Sequence, residues 1–154
     1  MSPANTNFAN EVRKSFARQS LMRLIGADLS LVEPGVVEII LRYRADLTQQ
    51  NGYVHAGIVT AIADTACGYA AFTLMPAGSA VLSVEFKVNL LRPAAGETFL
   101  AHAEVIKPRK TLTVVRADVF ALNGSNRTLV ATMQGTMICL PTMPETRHEP
   151  SSSR

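Results

Sequence analysis

The chain has 154 residues, 47% of them apolar and 18% charged, with no Trp and only 6% aromatics. That is one domain's worth of sequence, able to bury a core of Ala, Val, Ile and Leu, and it excludes a disordered chain. Fifteen Lys and Arg against twelve Asp and Glu leave +3, and the longest basic cluster, Lys107-Pro108-Arg109-Lys110, lacks an aromatic motif beside it, so nothing indicates nucleic acid.

Met1 to Asn10 lacks the basic-then-apolar pattern of an export signal, which makes a cytoplasmic location the default. Between Asn7 and Leu24, Phe8, Val12, Phe16, Leu21 and Leu24 recur among basic residues. This spacing predicts an amphipathic helix, broken near Gln19-Ser20. The N-terminal helical segment (1–24) then leads into a domain over 25–140. Its first two apolar runs, 26–33 and 36–43, flank Pro34-Gly35 and predict a hairpin. Residues 44–52 are polar and predict a loop.

A long helix follows, from about Gly57 to Leu74, ended by Pro76 and Gly78. Between His55 and Met75 its only charged side chain is Asp64. The run has the length of a membrane span, but a central carboxylate and many Ala, Gly and Thr residues predict a helix buried in protein, with no membrane partner. Cys67 lies in this helix and Cys139 in a later apolar run. Neither has Cys/His spacing for zinc, so both read as reduced core thiols and no metal site is expected.

Four strand-like runs come next, at about 80–91, 97–107, 111–122 and 127–140. The third alternates clearly, with Thr113, Val115, Ala117, Val119 and Ala121 on one face and Arg116 and Asp118 on the other. Short connections predict an antiparallel meander. Residues 141–154 are Pro/Ser-rich and predict a disordered tail. A helix apolar all round must be covered on every side. One curved antiparallel sheet of five to six strands wrapped around it does this, giving an α+β domain.

The chemistry concentrates where the loop enters the long helix, in Gln49-Gln50-Asn51-Gly52-Tyr53-Val54-His55-Ala56-Gly57, with Asp64 nine residues after His55. A helix N-terminus offers free N–H groups and a positive dipole end, and the small Ala56 and Gly57 let a ligand carbonyl approach them. A carboxylate isolated in an apolar helix is costly unless it works, as general base or as nucleophile. Nine helical residues rise about 13.5 Å over two and a half turns. His55 and Asp64 of one chain therefore sit far apart, on opposite sides of the helix. Two antiparallel helices from neighbouring subunits would bring His55 of one beside Asp64 of the other, which predicts a two-fold dimer with shared sites.

The pattern Q-x-x-G-x-x-H-[GA]-G-x(6)-[DE], continued by Ser83-Val84-Glu85-Phe86 and Leu91-Arg92-Pro93-Ala94, resembles the hotdog-fold acyl-CoA thioesterases, in particular their PaaI-like branch, over roughly residues 25–140. The resemblance implies a hotdog fold and hydrolysis of a coenzyme A thioester, which enters as substrate, with no metal or redox cofactor. It implies a homodimer or a dimer of dimers. Gln49 and His55 would place the thioester and the Ala56 N–H would hold the oxyanion, with Gly57 beside it. Asp64 of the partner chain would be base or nucleophile, and Ser83 would orient water.

The sequence departs from that family in two ways. The usual His-Gly-Gly is His-Ala-Gly, which keeps a backbone donor if φ at Ala56 is negative. The branch with Gln before the His usually carries Glu, with Ser or Thr four residues later. Here the acid is Asp64 and the later residue is Gly68, which makes Thr65 another candidate.

For substrate binding, Asn51, Tyr53 and Val54 lie in the entry loop, and Arg92, Lys107, Arg109 and Lys110 sit at turns where coenzyme A phosphates could reach. Tyr53, Val54, Ile58, Cys67, Tyr69 and Phe72 are near enough to build an acyl pocket, whose apolar character favours aromatic or medium-chain acyl groups over charged ones. Two other activities suit the layout, an enoyl-thioester hydratase and a non-catalytic acyl-CoA sensor. The nine-residue spacing opposes the first, and the roughly 25 residues before the domain leave no room for a DNA-binding segment.

Overall fold

The computed structural model describes residues 1–141. The predicted tail lies outside these residues, except Pro141, which ends the last strand. The N-terminal stretch forms α1 (Phe8–Ala17) and α2 (Ser20–Ile25), broken at Arg18-Gln19. Gly26 closes α2 in the left-handed conformation at φ 75°, the usual way to end a helix sharply. Val12, Met22 and Ile25 are fully buried in the main core. Among the described residues no helix is long and apolar enough to cross a membrane.

The hairpin is formed by β1 (Ala27–Glu33) and β2 (Val36–Arg42). Its Gly35 N–H donates to Thr73 Oγ1 (2.7 Å), whose hydroxyl donates to the Ala70 carbonyl (2.7 Å). One buried threonine thus fastens the hairpin turn to the end of the long helix. The 44–52 loop contains a short 3₁₀ turn, Ala45–Leu47. After α3 (Ala56–Phe72) come β3 (Ser79–Leu90), β4 (Thr98–Lys107), β5 (Leu112–Asn123) and β6 (Asn126–Pro141).

All six strands join one antiparallel sheet in the order β1-β2-β4-β5-β6-β3. This corrects the predicted meander, which holds only for β4, β5 and β6. β3 pairs with β6 instead of β4, and β2 takes the place beside β4. The segment between β3 and β4 is a crossing rather than a turn. Leu91 and Arg92 donate their N–H groups to Val130 O, on β6, before the chain reaches β4. Alternation tells which face a residue occupies but not which strand lies alongside.

The inward faces alternate as expected. Val37, Ile39 and Leu41 of β2, Phe99, Ala101 and Ala103 of β4, and Thr113, Val115, Ala117, Val119 and Ala121 of β5 are buried. Against them lie Val59, Ile62, Ala63, Ala66, Cys67 and Ala70 of α3. Alanines on both surfaces let the helix sit close to the sheet. Burial pushes the Cys67 thiol well above its ordinary pKa, with Asp64 adding to the rise. The thiol stays protonated and behaves as a small apolar core group.

A second expectation is corrected here. α3 is not covered on every side. Gly57 is exposed, and Ala61, Asp64, Thr65, Gly68 and Phe72 are only half-buried along the same helical face. The sheet curls around the opposite face, so a lone polar side chain could be placed on the open one without burying its charge. Beside that face, the edge strand β3 exposes Leu82, Val84, Phe86 and Leu90.

Gly135 of β6 lies opposite Phe86. A Cβ there would sit 3.0 Å from the Glu85 carbonyl oxygen and 3.1 Å from the Phe86 Cβ. Neither backbone can move without disturbing the β3–β6 pairing. Gly135→Ala should therefore cost about 1–3 kcal/mol. A urea melt should show a lower midpoint with an unchanged slope; an unshifted midpoint would mean that β3 yields freely.

Candidate active site

The entry loop is shaped by its own hydrogen bonds. Gln49 N–H donates to Tyr53 O (2.9 Å), and Gly52 N–H, at φ 84°, donates to Gln49 O (3.0 Å). The Gln49 side-chain oxygen accepts from the Asn51 N–H. Val54 is buried and donates its N–H to Ala94 O, while His55 N–H donates to Leu47 O. These bonds fix the direction in which the chain enters α3. Val54 is an anchor of the core, whereas Asn51 and Tyr53 remain exposed.

His55 is the N-cap of α3. Its Nδ1 accepts from the Gly57 N–H at 2.9 Å. An accepting Nδ1 carries no proton, so the ring proton sits on Nε2. The Gly57 N–H is thereby spent, which corrects the expectation that it serves as a free donor beside Ala56. Among the described residues the Ala56 N–H has no acceptor, and it points out of the helix start as N1 groups do. Among the described residues none other than glycine has a positive φ, so alanine at 56 keeps the donor.

Asp64 sits on the open face of α3. Ser83 Oγ, on β3, donates to its Oδ1 at 2.6 Å and lies 3.4 Å from the Met137 sulfur. The pair holds the carboxylate in one orientation across the gap between helix and edge strand. Ser83 reaches Asp64 because β3 lies on the far edge of the sheet, at the open side of the helix. Thr65 lines the same cleft, which has a volume of about 1140 Å³.

The two groups of residues do not meet within one chain. Gln49, Tyr53, Val54, Ala56 and Arg92 line a smaller cleft of about 470 Å³ at the helix N-terminus. Asp64, Thr65 and Ser83 line the larger one, beside α1. The 13.5 Å separation expected from helix rise is thus realised as two separate depressions.

Of the predicted phosphate ligands, Arg92 borders the smaller cleft and also donates to Leu129 O (3.0 Å). Lys107, Arg109 and Lys110 line neither cleft and stay exposed at the β4–β5 turn. Among the residues considered for an acyl pocket, Tyr69 and Phe72 face the Asp64 cleft and Tyr53 and Val54 the other, while Cys67 and Ile58 line neither. Among the described residues no group of three or more His, Cys, Asp or Glu could hold a metal ion.

Sequence reasoning missed the wall that α1 contributes. Glu11, Lys14, Ser15, Arg18 and Gln19 line the Asp64 cleft. Tyr69 docks that helix. Its hydroxyl donates to Ser15 Oγ and accepts from Gln19 Nε2, both at 3.0 Å, and its ring meets Phe16 with centroids 6.0 Å apart. The available signal was the amphipathic period of α1, whose polar side supplies these lining residues.

Comparison with known proteins gives a consistent result. Residues 51–127 match the thioesterase superfamily. A candidate esterase of Saccharolobus solfataricus is 30% identical over 129 residues, covering 84% of this chain and 83% of its own. The solved structure of a thioesterase family protein from Silicibacter pomeroyi is 50% identical, covers 87% of this chain and 98% of its own, and superposes with a TM-score of 0.86. The E. coli PaaI protein, from the phenylacetic acid degradation operon, is 20% identical and shares the fold, with a TM-score of 0.80 over 91% of this chain and 98% of its own.

The capping role of His55 has its own signature. His55→Ala should lower stability by about 1 kcal/mol, and His55→Asn, which restores a side-chain acceptor, should recover most of that. Equal stability of all three proteins in urea would remove the cap from the account.

Proposed function

The chain belongs to the thioesterase superfamily, whose general activity is thioester hydrolysis, and on that premise we propose that it hydrolyses acyl-CoA thioesters in a hotdog-fold homodimer, or a dimer of dimers, with each site shared between two subunits. The observation that carries this reading is the split of the machinery. The oriented carboxylate, Asp64 with Ser83, lies in a cleft that holds no Ala56, and the free Ala56 N–H lies in a cleft that holds no carboxylate.

A second copy supplies the missing half. The open face of α3 and the exposed Val84, Phe86 and Leu90 of the edge strand β3 are suited to it. An antiparallel arrangement of two α3 helices across this surface sets Ala56 and Gln49 of one subunit opposite Asp64 of the other. Apolar side chains exposed along an unpaired edge strand are otherwise a liability.

In the proposed reaction the thioester carbonyl oxygen lies at the Ala56 N–H, at the positive end of the α3 dipole. Asp64 takes a proton from water while the water oxygen bonds to the carbonyl carbon. The tetrahedral oxyanion is held by the Ala56 N–H. Its collapse breaks the C–S bond and releases the acid, and the coenzyme A thiolate takes up the proton. Ser83 fixes Oδ1 and leaves Oδ2 free to face the water. The same geometry admits direct attack by Oδ2 on the carbonyl, with water then opening the mixed anhydride. Arg92, on the rim of the Ala56 cleft, suits the coenzyme A phosphates better than the distant Arg109 and Lys110.

Two substitutions test the halves separately. Asp64→Asn should lower kcat at least about a hundredfold against a panel of aromatic, short, medium and long acyl-CoAs. Ala56→Pro deletes only the N–H, at the helix position that tolerates proline best, after a His55 already at ψ 137°. It should fold and lose about 10²–10³ in kcat.

Mixing the two inactive variants tests the sharing. Half of randomly reassorted dimers would carry one intact site, so about a quarter of wild-type activity should return. Absence of recovery, with exchange of subunits verified by mass, would place the whole site in one chain.

A further inference from the structure

The Asp64 cleft continues past the carboxylate along α3 and is closed by α1. Lys14 and Arg18 lie one turn apart on that wall, and neither makes an ion pair among the described residues. The carboxylates lining the same cleft are Glu11, one turn before Lys14, and Asp64, which is held by Ser83. Both cations therefore keep their donors for a ligand.

The wall is fixed in place. Burial raises the Tyr69 pKa, against the opposing effects of Ser15, Gln19 and Arg18, so its hydroxyl stays protonated and keeps α1 docked.

Distance selects the part of the substrate that meets this wall. Tyr69 lies five residues beyond Asp64, a rise of about 7.5 Å along α3. That is the reach of a short acyl chain measured from the reacting carbon. It falls well short of the pantetheine arm that separates a thioester from the coenzyme A diphosphate. The coenzyme side of the substrate leaves toward the Ala56 cleft of the other subunit, where Arg92 lies on the rim.

We propose that Lys14 and Arg18 receive a carboxylate at the far end of the acyl group, making ω-carboxyl acyl thioesters the preferred substrates. This rests on the acyl-CoA thioesterase reading above and replaces the expectation of an uncharged acyl pocket. The two cations act on specificity and not on bond cleavage, because the wall that carries them is docked on Tyr69, about 7.5 Å along α3 from Asp64.

The test compares adipyl-CoA with hexanoyl-CoA, which differ in the terminal carboxylate, in the wild type and in the Lys14→Gln/Arg18→Gln double variant. The wild type should favour adipyl-CoA in kcat/KM by about tenfold or more, the scale of one charge-assisted hydrogen bond. The double variant should lose that ratio, and Lys14→Glu/Arg18→Glu should invert it.

A wild type that hydrolyses hexanoyl-CoA through Asp64 but shows no adipyl preference overturns this proposal and leaves the thioesterase reading standing. A wild type inactive on both and on the wider panel overturns the thioesterase reading itself. The same variants are also assayed with hexanoyl-pantetheine, which lacks the phosphates. If their losses fall equally on both CoA esters and vanish with the pantetheine ester, the cations serve the coenzyme phosphates and the acyl assignment is wrong.

Discussion

Everything in this molecule depends on how one apolar helix is pressed against a sheet from one side only. The strands meet α3 through alanines at 101, 103, 117 and 121, and the helix answers with Ala63, Ala66 and Ala70. Set among larger apolar side chains, these alanines bring the backbones close, and a face so packed offers no partner to a buried charge. The only place for Asp64 is the other face, and there it lies beside the edge strand that carries Ser83. Close packing on one side and chemistry on the other are thus one constraint, met by the choice of which residues along a single helix are small and which are not.

The same constraint explains what could be read from the sequence. The loop Gln49–Gly57 and Asp64 were legible because their spacing fixes a helix start and a point two and a half turns later, whatever the rest of the chain does. The inward face of β5 was legible because a period of two is a local property. Strand order was not. β3 and β4 look like neighbours, and their separation to opposite sides of β5 and β6 is decided by which edges remain available after β2 has paired with β4. The contribution of α1 was hidden for a related reason. Its buried side was visible in Val12 and Phe16, but the polar side faces a cleft that exists only once Tyr69, more than fifty residues away, has docked it.

That docking divides the labour along α3. Its N-terminal end offers a backbone donor and a dipole, which act on any carbonyl and discriminate little. Its middle offers one carboxylate, oriented by one hydroxyl. Beyond that the side chains come from α1, an element outside the sheet, whose Val12 is sunk in the core and whose polar side is held by two hydrogen bonds and a ring contact to Tyr69. Specificity carried on the polar side of such a helix can change without disturbing the core, because no strand pairing runs through it and its buried side stays the same.

The choice of His55 as cap follows from the same electrostatics. Helix starts usually take Ser, Thr, Asp or Asn. An aspartate there would satisfy the Gly57 N–H as well, but its charge would sit beside the spot where the proposed reaction develops a negative oxygen and would oppose it. The imidazole accepts through Nδ1 with no net charge. It satisfies one of the first N–H groups, leaves the Ala56 N–H free, and does not cancel the positive end of the dipole. A neutral cap at the second donor is therefore what preserves the first one for a reacting carbonyl. His55 in this reading is a positioning residue, acting through Gly57 and the shape of the helix start.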